Sequence, residues 1–81
     1  MYTVTSGNTL PFGATPVRSG INFSVFSRNA TSVILDIFEN PEDSDPCFSY
    51  TLDSKLNRTG DMWHVCIEGL KPGALYLYRV D

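Results

Sequence analysis

Apolar residues in this chain recur at every second position, run after run, and nowhere at the spacing of a helix face over the ten or more residues a helix needs. Ile21, Phe23 and Val25 alternate with Asn22 and Ser24; Val33, Leu35 and Ile37 alternate with Ile34, Asp36 and Phe38. Trp63, Val65 and Ile67 alternate with Met62, His64 and Cys66; Tyr76, Tyr78 and Val80 alternate with Leu75, Leu77 and Arg79. A weaker run, Phe48 to Leu52, reads as a short edge strand after Pro46. Turn signals such as Ser19-Gly20, Asn40-Pro41, Thr59-Gly60-Asp61 and Pro72-Gly73 separate the runs, which are rich in β-branched and aromatic residues. That pattern predicts an all-β fold, an antiparallel β-sandwich.

Eighty-one residues allow one domain, 1–81, and a chain this short buries only about 60% of its unfolded surface. An enclosed substrate pocket has little room in such a core. The formal net charge of −3 owes much to Glu39, Glu42, Asp43 and Asp45, read as a solvated loop. With no basic stripe, nucleic acid is not an expected partner. No apolar stretch approaches the roughly 20 residues of a membrane span, so no membrane partner is expected either. Met1 to Asn8 lacks the charged and apolar regions of a secretory signal, which points to the cytoplasm and to free thiols at Cys47 and Cys66. Spacing alone does not show whether those two cysteines pair. The sequons at Asn22, Asn29 and Asn57 are then chance matches.

The residues supply no constellation for chemistry. His64 is the one histidine, mid-strand and without a Cys-x-x-Cys, whereas a metal site needs three or four converging ligands. It reads as a surface residue; no metal ligand and no cofactor is expected. No Gly-x-Ser-x-Gly elbow is present, and the acids cluster in a loop without a cleft. No catalytic residue is assigned, and the chain itself is not expected to be an enzyme.

Recognition remains. Trp63, the single Trp, is a candidate sugar-stacking platform, but its parity with Val65 and Ile67 favours burial. Phe38 is the second sugar candidate. Phe26 and Phe38 have outward parity, so each is either exposed for binding or turned inward by a bulge. Tyr76, at a strand start after Pro72-Gly73, resembles a tyrosine corner, whose phenol would bond to backbone near Leu70. Asp81 follows an apolar strand with no turn or polar tail, so the chain reads as part of something longer.

Three stretches are distinctive: Pro11-Phe12-Gly13-Ala14-Thr15, Gly20 to Ser27 (Gly-Ile-Asn-Phe-Ser-Val-Phe-Ser) and Asn29 to Phe38. With Arg58-Thr59-Gly60-Asp61-Met62-Trp63-His64 and Gly69 to Val80, they closely resemble, in order, the start of isoamylase-type glycogen debranching enzymes. The resemblance implies an immunoglobulin-like early-set sandwich, a carbohydrate-binding module of family 48. It further implies a non-catalytic accessory role ahead of a (β/α)8 barrel that hydrolyses α-1,6 branch linkages in glycogen or starch. The implied partners are that barrel, in the same polypeptide, and glycogen or another α-glucan. Apolar residues with outward parity, Ile34 and Phe38 on one strand and Met62 and Cys66 on another, are the candidate docking face for the barrel. The alternative is a fibronectin type III or other immunoglobulin-like adhesion module. Leu70 to Val80 fits both families; the Gly-Ala-Thr and Asn-Phe-Ser-Val-Phe-Ser stretches fit only the first.

Overall fold

The computed structural model describes residues 2–81 and contains eight strands and no helix among them. In chain order they are β1 (Thr3–Thr5), β2 (Gly13–Pro16), β3 (Gly20–Phe26), β4 (Val33–Phe38), β5 (Phe48–Thr51), β6 (Arg58–Thr59), β7 (Met62–Glu68) and β8 (Leu75–Val80). They form two antiparallel sheets, as expected for an immunoglobulin-like sandwich. One sheet runs β1-β7-β3-β2, with β6 also pairing β7; the other runs β5-β4-β8.

Alternation sorts the core as the pattern implies. Ile21 lies opposite Ile67, and Phe23 opposite Val65, on the inner face of the large sheet. Leu35 lies between Tyr50 of β5 and Tyr78 of β8 on the inner face of the small one. Val33, Leu35, Ile37, Phe23, Trp63, Val65 and Ile67 are each at most 1% exposed and make the centre of the core. Both sheets keep a continuous register through Phe26↔Met62 and Phe38↔Leu75, so neither phenylalanine is turned inward by a bulge. The β6–β7 turn has two central residues, Gly60 and Asp61, and Gly60 supplies the left-handed φ of +61° that such a tight hairpin needs.

Two expectations, for His64 and Tyr76, are corrected, and Trp63 takes the buried place that its parity favoured over the sugar platform. His64 is not on the surface but 6% exposed: its Nδ1 lies 2.6 Å from the Ser6 carbonyl oxygen and its Nε2 2.9 Å from Thr59 Oγ1. Residues 6–9 cross the outer face of the large sheet on the way from β1 to β2, and they bury the outward polar row of Asn22, Ser24 and His64. Those three side chains bind the crossing segment through its backbone alone, at Asn8, Thr9 and Ser6. Gly7 lies so close to the sheet that a Cβ there would stand 2.7 Å from the Val65 carbonyl carbon and 2.8 Å from the Cys66 nitrogen.

The tyrosine corner is absent: among the described residues no hydrogen bond joins the Tyr76 hydroxyl to backbone near Leu70. Tyr76 instead packs edge-on against Phe23, with ring centroids 5.0 Å apart, and against Tyr78. Trp63 has no free ring face. It is 1% exposed, its indole N–H donates to the Ser27 carbonyl at 3.2 Å, and the Arg58 guanidinium sits 4.9 Å from the ring centroid.

Candidate functional site: the outer face of the three-stranded sheet

With the large sheet covered by residues 6–9, the small sheet presents the open outer face. Strand parity sets its composition. β4 contributes Ile34, Asp36 and Phe38; β8 contributes Arg79, Leu77 and Leu75 directly opposite them; β5 adds Ser49 and Thr51. Leu77 is 61% exposed and Leu75 37%, while Ile34 and Phe38 are half-buried.

A charged pair lies amid these apolar residues. Arg79 Nε donates to Asp36 Oδ2 at 2.7 Å and Arg79 Nη2 to Asp36 Oδ1 at 3.1 Å, a fork-on-carboxylate geometry. The Ser49 hydroxyl donates to Oδ1 as well. Asp36 is 5% exposed although it points outward, because these neighbours cover it. The hydrogen bond from Arg79 holds the Asp36 carboxyl below its ordinary range, against the opposing effect of burial, with the Ser49 bond helping.

Two hollows flank the pair. At one end a groove of about 380 Å³ runs between Phe38, Leu75 and Leu77 and the loop residues Asn40, Asp43 and Ser44. At the other, a hollow of about 230 Å³ is lined by Ser32, Ile34, Arg79, Val80 and Asp81.

The site residues expected from sequence are thus divided. Ile34 and Phe38 lie on this face, Phe38 at the groove. Met62 and Cys66 belong to β7, so their outward side is the opposite side of the sandwich. Cys66 is also only 8% exposed, beneath the crossing segment. The four do not form one face, because outward parity points in opposite directions in the two layers of a sandwich. Trp63 lies in the core and offers no platform. Missed from sequence were Leu75, Leu77, Arg79 and Asp36. Their shared parity on β4 and β8 was the available signal, but it needed the pairing of those strands to be read. Cys47 and Cys66 are both free thiols.

The family profile described as "Carbohydrate-binding module 48 (Isoamylase N-terminal domain)" matches residues 11–81. This chain belongs to the carbohydrate-binding module 48 family. Relatives agree with the membership. The chain is 41% identical over 86 residues to isoamylase 3 (chloroplastic) of Oryza sativa subsp. japonica, covering 98% of this chain and 11% of the relative. It is 43% identical over 82 residues to isoamylase SU1 (chloroplastic) of Zea mays, covering 96% and 10%. It is 41% identical over 81 residues to a glycogen debranching enzyme of Yersinia enterocolitica, covering 100% and 11%. The module therefore spans about a tenth of the length of these relatives. Membership decides against the fibronectin type III reading, since the match runs through the Gly-Ala-Thr and Asn-Phe-Ser-Val-Phe-Ser stretches.

Proposed function

We propose that this chain is the non-catalytic N-terminal accessory module of a debranching-type glycoside hydrolase, and that it docks the catalytic (β/α)8 barrel of the same polypeptide. The reaction proposed for the whole enzyme is hydrolysis of α-1,6-glucosidic branch linkages, on the support of relatives named isoamylase and glycogen debranching enzyme. One observation carries the docking reading: the open sheet face exposes a group of aliphatic side chains, with Leu77 61% exposed beside Leu75 and Ile34. Removing apolar surface from water is worth roughly 25 cal/mol per Å². An interdomain contact of roughly 600–1,500 Å² would cover the face.

A second reading has one observation in its favour. The Phe38 groove sets a half-exposed ring beside Asn40, Asp43 and Ser44, polar groups able to bond sugar hydroxyls of an α-glucan. Aliphatic Leu75 and Leu77 on its other wall offer no stacking surface, which weighs toward docking. Titration with maltoheptaose, followed through the Phe38 ring resonances, separates the two. Docking expects no saturable binding; saturation below about a millimolar, some −4 kcal/mol, would establish the glucan site instead.

A further inference from the structure

We propose that Arg79 is the polar anchor of this docking face, holding out a fixed pair of N–H donors for a carboxylate or backbone carbonyl on the catalytic domain. This rests on the docking reading above and adds the chemistry of the contact. Arg79 spends Nε and Nη2 on Asp36, and Nη2 lies 3.4 Å from Ser49 Oγ besides. Its Nη1 amino group has no partner among the described residues, and the side chain is 60% exposed. An arginine gripped from behind by a buried carboxylate has already lost most of its rotamer freedom, so a partner acceptor meets a preorganised fork.

Its surroundings are those of an interface anchor. Leu77 and Ile34 flank it, so contact with a partner would strip water from the guanidinium while apolar neighbours seal the edge. A cationic donor fits an acceptor-rich surface, such as an acidic side chain or the carbonyl end of a helix. The occupant is the catalytic domain rather than a glucan, because the residues flanking Arg79, Ile34 and Leu77, are aliphatic and the Phe38 ring lies at the other end of the face, opposite Leu75.

Arg79→Lys tests the anchor. Lysine keeps the charge facing Asp36 but removes the planar fork and the free Nη1 donors. The probe is the Yersinia enterocolitica debranching enzyme with its matching N-terminal segment deleted, titrated with the 81-residue chain and with each variant. Thermal melts of each variant establish that it is folded. The wild-type chain is expected to bind, Leu77→Asp to abolish binding, and Arg79→Lys to weaken it by about tenfold or more. Binding lost with Leu77→Asp but unchanged in a folded Arg79→Lys overturns the anchor and leaves docking standing. No binding by the wild-type chain overturns docking, and the anchor with it. Saturable shifts of the Arg79 side-chain resonances on adding maltoheptaose would reassign the guanidinium to sugar.

Discussion

Asn22 pairs with Asn8 as one strand pairs with another, except that a side chain takes the place of one backbone. Its Oδ1 accepts the Asn8 N–H at 2.8 Å and its Nδ2 donates to the Asn8 carbonyl at 3.0 Å. Two neighbouring polar side chains, Ser24 and His64, extend the same grip to Thr9 and Ser6. Asn22→Ala removes two such bonds, each worth about 0.5–1.5 kcal/mol. The crossing segment should then open without the sandwich unfolding, exposing Cys66. In a Cys47→Ser background, Cys66 labelling by a thiol reagent should accelerate about tenfold or more under native conditions. Labelling that stays tied to global unfolding would show that segment and sandwich open together.

Gly7→Ala strikes the same contact from the other side. The added Cβ meets backbone of β7, and the φ of +73° is one that alanine adopts poorly. A loss of more than about 1 kcal/mol is expected in urea denaturation, with protection of the Asn8 amide against hydrogen exchange falling most.

Tyr76 and Tyr78 are neighbours whose hydroxyls should behave differently. Tyr76 forms no corner, so Tyr76→Phe should change stability by less than about 0.5 kcal/mol. The Tyr78 hydroxyl is buried without a hydrogen-bond partner among the described residues, and burial pushes its ionisation well above the ordinary tyrosine range. Tyr78→Phe should therefore raise stability by up to about 1 kcal/mol, because an unsatisfied buried group carries a desolvation cost. A denaturation midpoint that falls on Tyr78→Phe would mean the hydroxyl is satisfied.

Asp36 should give the module an acid limb. Its carboxyl is held below the ordinary value of 3.8, chiefly by the Arg79 hydrogen bond. A group whose folded-state pKa is lowered contributes stability that is fully present above its unfolded value. That contribution is lost as pH falls through the lowered folded value. The stability difference between wild type and Asp36→Asn should accordingly be constant near neutrality and shrink below about pH 4. A difference independent of pH down to about pH 2 would deny the linkage.

Much of the core was legible in the sequence because parity alone decides which side of a strand faces another layer. Ile21 to Val25 and Trp63 to Ile67 needed only that rule. β1, β2 and β6 escaped it: they are two to four residues long, and Gly13–Pro16 ends in a proline that only an edge tolerates. His64 was misread for a related reason. Outward polar residues look solvated until a crossing segment is known to lie on them. For the docking face, parity identified Ile34 and Phe38 but could not separate them from Met62 and Cys66, since sheet membership depends on pairings between distant parts of the chain.

Methyl resonances test the central proposal most directly. Spectra of the 81-residue chain would be recorded with and without the Yersinia enterocolitica debranching enzyme lacking its N-terminal segment. Ile34, Leu75 and Leu77 should shift or broaden, while Leu10 and Leu56, 63% and 64% exposed outside this face, stay unchanged. Perturbation confined to Leu10 and Leu56, or none anywhere, would contradict docking through the outer face of the three-stranded sheet.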